Sequence, residues 1–512
     1  MLTGDILRLS AERHPKRIAL ICGETRISYQ DLYASANKFS NTLLNLKIGK
    51  GACWAIMSQN LPEYIIAHFG SAQTGARMVN LQPSYTPDDL VKILNLADAR
   101  LIIVEEIFQE NIAKIEGLIP TLESVIVIGK PIIDEWISFD QFIRGQPATP
   151  PLSDLDEDDI FAMTFTGGTT GMPKGTLVSH RARFASCYTT VIEHGVTGSD
   201  IVGMVTPFYH AMGSLVWLPT VMFVGATAVL MSSWDPNHFI QQTAKHGITC
   251  TFMVPVQLRQ VLSDVNFNID NLKSLKNIAC GGAISPADLI IEINEKLPNA
   301  KFTNHYGQSE TGPICIYSHY HPRTKADTVG RPAVGVDLKI VDSEGQEVPD
   351  GKSGEIICRG PFLMSGYHKN EQETQIYFKT GDGWGWTGDL AKKDPDGFIT
   401  LVGRSKDMIV SGGVNIYPRE VEIVLEQHKE IIDCTVFGIP DEYWGEALVA
   451  YVVPREKEEL TEKVINNHCI EHLARFKRPK YIKIVNSITK TPSGKVQKPA
   501  LRNAFLKDHK IS

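Results

Sequence analysis

A chain of 512 residues, 43% hydrophobic and 21% charged, is too long for one compact core and too apolar to be disordered or collagen-like. Its formal net charge of −7 gives no reason to expect nucleic acid or an anionic membrane as a general partner. Nine cysteines, an odd total without CxxC spacing, exclude a disulfide framework and a zinc knuckle and fit a reducing compartment.

The first residues, Met1 to Arg8, include Asp5 and open no long apolar run, so no secretory signal is expected and the cytoplasm is the default compartment. From there to about residue 150, apolar β-like runs alternate with helical patterns. Arg17 to Cys22 and Cys53 to Met57 read as strands, and Leu101 to Val104 and Val125 to Ile128 as fully buried ones; helices over Asp31 to Leu46 and Glu63 to Thr74 fall between them. Such alternation predicts a parallel sheet covered on both faces. A connection rich in proline and acid, Gly145 to Asp159, leads into Thr164-Phe165-Thr166-Gly167-Gly168-Thr169-Thr170-Gly171-Met172-Pro173-Lys174-Gly175. This stretch suits neither a core strand nor a stable helix. It predicts an exposed loop whose N–H groups, threonine hydroxyls and lysine converge on an anion, naturally a phosphate. The spacing is not that of a P-loop nucleoside triphosphatase.

Beyond it, a helix over Phe208 to Met222 and strands over Thr249 to Val254 and Lys276 to Cys280 predict a second α/β layer. Val202 to Trp234 carries no Asp, Glu, Lys or Arg and is long enough to span a bilayer. Pro207, Gly213, Pro219 and Gly225 interrupt it, however, and His210 sits inside it, so burial is expected, with a separate strand over Ala226 to Met231. Val329 to Gly403 has the texture of short strands and turns, which predicts a small antiparallel or barrel-like element. A compact tail follows, with a helix over Glu420 to Gln427 and strands over Asp433 to Gly438 and Ala447 to Val453. The expected fold is α/β: a large N-terminal domain, 1–403, of two doubly wound α/β subdomains plus a small β-barrel-like part, then a small α+β domain, 404–512.

Gly281-Gly282-Ala283, Asn304-His305-Tyr306-Gly307-Gln308-Ser309-Glu310-Thr311-Gly312 and Trp386-Thr387-Gly388-Asp389 each end a predicted strand, where ligand sites of open α/β sheets lie. Singly they have ordinary readings: a turn, a solvated acid at Glu310, a turn-initiating Asp389. Taken with the glycine-rich loop, with Gly403-Arg404-Ser405-Lys406-Asp407 and with Pro492-Ser493-Gly494-Lys495, their order and spacing resemble the adenylate-forming superfamily of acyl-CoA synthetases, adenylation domains and beetle luciferases. The resemblance runs from Ser28-Tyr29 to Lys495 and is greatest to fatty- or aryl-acid CoA ligases.

The resemblance implies that ATP and a carboxylic acid give an acyl-adenylate and pyrophosphate, and that a thiol then takes the acyl group. Thr166, Gly167, Gly168, Thr169, Thr170, Gly171 and Lys174 would hold the β and γ phosphates, and Glu310 would bind Mg2+, a hard cation that takes oxygen ligands and substrate phosphates. Gly281, Gly282 and Ala283, with Asn304, Tyr306, Gly307 and Ser309, would form the nucleotide slot, where glycines allow flat approach and the tyrosine ring stacks on the base. Asp389 would accept the ribose hydroxyls, helped by Arg404. Lys495 would stabilise charge in the adenylation transition state. Lys406 would be the hinge of a mobile tail, and Gly412 and Gly413 would border the pantetheine tunnel. Two positions depart from the family pattern: Gly167 where many members have Ser, and Ser309 where many have Thr.

By the same resemblance the acid pocket would be lined by His210, Ala211, Phe252, Pro255 and Gly312, with His210 as its aromatic gate. An amino acid would need a carboxylate for its ammonium and a dicarboxylate an Arg or Lys, and neither type occurs from Phe208 to Trp217 or Phe252 to Val256. The expected substrate is therefore an apolar monocarboxylate, a medium- or long-chain fatty acid or an aryl acid. The chain ends at Ser512 without a carrier module, so coenzyme A is the expected acceptor, with a separate carrier protein as the alternative. The reading of a different class is a catalytically silent nucleotide-binding protein. No transmembrane segment is expected, and a homodimer is left open.

Overall fold

The computed structural model describes residues 1–166, 173–283, 285–455, 460–490 and 496–509. They form two compact units, Met1–Asp337 with Arg359–Gly385, and Leu338–Cys358 with Trp386–Ser512.

The first unit is built on two sheets. One has eight strands in the order Gly366–Tyr367, Lys174–Ser179, Ile160–Thr166, Arg77–Asn80, Cys53–Met57, Ala99–Glu105, Ser124–Ile128 and Ile137–Ser138. Its strands run parallel from Ile160–Thr166 to the Ile137–Ser138 edge. The apolar strands are the reason: every residue of Cys53–Met57 is buried, which requires helices on both faces. The helix Tyr29–Asn45 supplies part of that cover and starts where the Ser28 hydroxyl accepts the Asp31 N–H. At the other edge the pairing turns antiparallel, so that Thr166 faces Lys174.

The second sheet has nine strands, with Asn277–Gly281 and Lys301–Gln308 parallel in its middle and the hairpin partner Gly312–Tyr317 beside them. Ile18–Cys22 belongs here, between its antiparallel neighbour Thr25–Ser28 and the parallel strand Thr227–Leu230, and not in the sheet that holds Cys53–Met57. Alternation along the sequence had grouped it with the first sheet; pairing with a strand some two hundred residues away leaves no local trace. Two further expectations shift. Phe208 to Met222 is not one α-helix: a turn leads into π-helical Met212–Trp217 and then an α-helix, Leu218–Val224. Gly213 explains this, because a Cβ there would stand 2.4 Å from the Pro207 carbonyl oxygen. Val202 to Trp234 is divided among these elements and two strands, Ile201–Met204 and Thr227–Leu230, and among the described residues no helix is long and apolar enough to cross a membrane.

In the second unit, Asp337–Val341, Ser353–Arg359, Gly385–Lys393 and Ile399–Arg404 make a four-stranded sheet. The segment between its second and third strands instead returns to the first unit as the strand Gly366–Tyr367 and the helix Glu371–Tyr377. A second sheet centres on the hairpin Ile431–Asp441 and Gly445–Pro454. Alternate residues feed separate cores: Val436, Leu448 and Ala450 meet helices Pro418–Glu426 and Glu462–His472, while Phe437, Val449 and Tyr451 meet Lys498–His509. All nine cysteines are free thiols and eight are buried.

Candidate active site

The glycine-rich stretch is narrower than its composition suggests. Thr164 to Thr166 end one strand and Lys174 begins the next, so both ends of the loop are fixed by antiparallel pairing. Gly167, Gly168, Thr169, Thr170 and Gly171 lie outside the described residues, as does the side chain of Thr166. At the foot of the loop the Lys174 ammonium donates to Glu373 at 2.6 Å and lies 5.5 Å from the centre of the Tyr367 ring. The Tyr367 hydroxyl in turn donates to Glu310 Oε1 at 2.9 Å. Main-chain bonds set this geometry: the Met364 N–H donates to the Glu310 carbonyl, and Tyr367 faces Thr176 across the sheet. Lys174 and Glu310, 136 positions apart in sequence, thus meet through one tyrosine. Tyr367 and Glu373 escaped the sequence reading because a two-residue strand has no periodicity and its partner is distant. The asparagine cap at Asn370, with Glu371 and Glu373 in the first turn, was the available signal of a helix there.

On the second sheet, Gly281 ends a strand as expected, and Gly282 follows at φ +80°. A Cβ on Gly281 would stand 2.3 Å from His305 Cδ2, so glycine is what lets the two strands carry this ring between them. Asn304 is buried and accepts from the Ser285 hydroxyl at 2.9 Å, which ties the turn after Ala283 to the neighbouring strand. Asn304, Tyr306 and Gly307 lie within the strand Lys301–Gln308, and Ser309 to Thr311 make the tight turn into Gly312. A Cβ on Gly307 would stand 2.0 Å from the Gly312 oxygen, and the Thr311 hydroxyl accepts the Gln308 N–H, so the turn that presents Glu310 is held on both sides.

Trp386 to Asp389 do not end a strand; they lie inside Gly385–Lys393. The Thr387 hydroxyl donates to the Ile356 carbonyl and the Gly388 N–H to Glu355, so Gly388 at φ +71° bends the strand without ending it. Asp389 faces Arg404 on the next strand and is paired with its Nε at 2.8 Å. Lys406 lies exposed in a 3-10 turn just after that strand. Gly412 and Gly413, at φ +59° and +77°, form the turn of a hairpin between Ile409–Ser411 and Val414–Ile416, which only residues tolerant of positive φ accommodate. Lys495 lies outside the described residues.

Of the residues assigned to the acid, Phe252 is part of an aromatic wall in the first unit. Phe252 stacks on His305 at 4.9 Å and leans on Trp217 at 5.6 Å. Tyr209 and His210 lie ring to ring at 4.8 Å. Pro255 begins the next helix and is buried; Ala211 and His210 are partly exposed. The turn before His210 is pinned by residues that sequence reasoning missed. Asn60 accepts the Phe208 N–H at 2.8 Å, and the Tyr64 hydroxyl lies 2.9 Å from the Phe208 carbonyl. Behind His305, its Nδ1 is 3.5 Å from His194 Nε2, and His194 Nδ1 is 2.5 Å from the Thr303 hydroxyl. Burial holds His194 neutral, its pKa brought down to about 3, and lowers that of His305 as well.

A family model described as AMP-binding enzyme matches residues 7–368, and one described as AMP-binding enzyme C-terminal domain matches residues 420–495. The chain is 31% identical over 519 residues to a medium/long-chain-fatty-acid–CoA ligase of Mycobacterium tuberculosis, covering 98% of this chain and 90% of that protein. It is 30% identical over 491 residues to an indoleacetate–CoA ligase of Aromatoleum aromaticum, covering 95% of each. Among solved structures, the anthranilate CoA ligase AuaEII in complex with anthranoyl-AMP superposes with a TM-score of 0.89 at 27% identity, over 98% of this chain and 97% of that one. ATP-bound MatB from Rhodopseudomonas palustris superposes with a TM-score of 0.90 at 25% identity, over 99% of both chains.

Proposed function

The chain belongs to the AMP-binding enzyme family, and from that membership we propose that it is an ATP-dependent acid–thiol ligase that converts a carboxylic acid with an apolar body, fatty or aryl, to its coenzyme A thioester. The observation that carries the proposal is the Lys174, Tyr367 and Glu310 arrangement, which puts a cation and a carboxylate at the root of a phosphate-type loop. Its relatives include CoA ligases for fatty and for aryl acids.

In the first half-reaction a carboxylate oxygen of the acid attacks the α-phosphorus of ATP, the bond to the bridging oxygen breaks, and pyrophosphate leaves. Lys174 offsets charge on the departing phosphates, and Lys495 does so at the reacting carboxylate. Gly281 and Gly282 leave room for the base beside Tyr306, and Asp389, oriented by Arg404, accepts the ribose hydroxyls. The single oxygen ligand offered by Glu310 fits Mg2+, which uses one or two carboxylates plus substrate phosphates; among the described residues there is no cluster of three or more metal-ligating side chains. When bound, the ion neutralises phosphate charge. Tyr367 fixes the Glu310 carboxylate for that task.

In the second half-reaction the thiol sulfur attacks the acyl carbon and AMP leaves with the mixed-anhydride electrons. The hairpin at Gly412 and Gly413 borders the thiol's path, and Lys406 absorbs the backbone rotation between the two half-reactions. This motion divides the chain functionally into 1–403 and 404–512, a division distinct from that of the compact units. Cytoplasmic placement belongs to the same proposal.

The aromatic wall of Phe252, Trp217 and His305 supports an acid with a flat or apolar body. Pyrophosphate release over a panel of fatty and aryl acids, with and without coenzyme A, tests the proposal. Acid-dependent release followed by thioester formation is expected. Nucleotide binding without release would identify a silent binding protein, and release without thioester would identify a loader of carrier proteins.

A further inference from the structure

The helix His180–His194 turns a polar face inward: Arg183, Ser186, Thr190 and His194 are all buried. Ser186 and Thr190 spend their hydroxyls on carbonyls one turn back, and His194 meets Thr303. Arg183 has no such outlet. It is 3% exposed, and neither Nε nor Nη1 has a hydrogen-bond partner among the described residues. Burial brings its pKa down to about 10, which leaves it a cation at neutral pH, and among the described residues no carboxylate is near enough to offset that. Beside it His68, from the helix Pro62–Ser71, is 1% exposed, and neither ring nitrogen has a partner among the described residues. Phe161 and Phe69 close round the imidazole with ring centres at 5.9 and 4.9 Å.

A desolvated guanidinium with unmet donors is strongly unfavourable until an anion joins it. The place where one could join is marked by Gly312. A Cβ there would stand 3.9 Å from Arg183 Nη2 and only 2.6 Å from the Ser186 hydroxyl, so glycine at this position, φ +66°, lets the main chain assigned to the acid pocket approach the guanidinium closely. This helix lies outside Phe208 to Trp217 and Phe252 to Val256, the two segments that carry no Arg or Lys for a dicarboxylate.

We propose that Arg183, with His68 beside it, binds a second carboxylate at the far end of the acid, so that the substrate is a dicarboxylic acid with an apolar middle. This rests on the assignment of Gly312 to the acid pocket. A planar guanidinium offers a carboxylate two parallel N–H donors, and the neutral imidazole adds a third. The apolar wall would hold the methylene or aryl segment between the two carboxylates.

The test is pyrophosphate release by the full chain with matched acids: hexanoate with hexanedioate, octanoate with octanedioate, and dodecanoate with dodecanedioate. In at least one pair the dicarboxylate is expected to be favoured by on the order of 100-fold in kcat/KM, because a site with unmet donors rejects an analogue lacking the acceptor. Arg183→Met should lower kcat/KM for the dicarboxylate far more than for its monocarboxylate partner and so erase that preference, and Arg183→Lys should restore part of it. Monocarboxylate preference in every active pair, or an Arg183→Met loss equal for both members, overturns the inference and leaves acid activation standing. If Arg183→Met does not fold, the wild-type ratios decide alone. Absence of release with every acid would remove the acid-activation reading and this inference together.

Discussion

The Lys174 ammonium is already engaged: its charge is shared with Glu373 and with the face of Tyr367, whose hydroxyl is committed to Glu310. The tyrosine is therefore a positioning residue for both. Tyr367→Phe keeps the ring and loses only the hydroxyl, so the Mg2+ concentration giving half-maximal pyrophosphate release is expected to rise ~10-fold, with the melting temperature unchanged. A magnesium titration at fixed ATP checks this; an unchanged midpoint would show that Glu310 needs no such support. At this scale the sequence was informative for Lys174, Glu310, Asp389 and Arg404, each of which sits in a motif with recognisable neighbours. It was silent on Tyr367, Asn60 and Arg183, whose roles come from contacts that only folding creates.

Among elements, the helix His180–His194 and the helix Pro62–Ser71 bury histidines that must stay neutral. Burial brings His68 to about 3, His180 to about 4 and His194 to about 3, whereas the unfolded chain titrates near ~6.5. Below ~6.5 the unfolded state binds more protons, so the stabilising contribution is complete above that pH and is lost as the pH falls towards the folded values. Three such groups give a slope of up to ~4 kcal/mol per pH unit. Urea midpoints measured between pH 7 and pH 5 should fall steeply, and His194→Gln should make the fall shallower by about a third of that slope. A midpoint independent of pH would contradict the neutral assignment. The buried strands were legible because Cys53–Met57 and Ser124–Ile128 are apolar throughout. The π-helical turn at Met212–Trp217 was not, since it follows from one glycine pressed against a carbonyl and not from any periodicity.

At the scale of the whole molecule, the two half-reactions should be separable. Lys495→Ala should abolish acid-dependent pyrophosphate release yet leave thiol transfer from a pre-made acyl-adenylate largely intact; equal loss of both would contradict separate poses. Gly413→Val should do the reverse. A Cβ there has no neighbour within 4 Å among the described residues, but at φ +77° it strains the hairpin by ~1–2 kcal/mol, and a normal transfer step in that variant would remove the hairpin from the thiol's path. The buried free thiols make the molecule its own reporter of opening. In the native state only Cys22 offers a partly exposed sulfur, so a mass-tagging reagent marks each remaining cysteine when its surroundings unfold. Cys434 and Cys469 share one core of the second unit, whereas Cys53, Cys250 and Cys280 sit in three cores of the first. The order in which tags accumulate thus dates the failure of each core separately, without any label added by design.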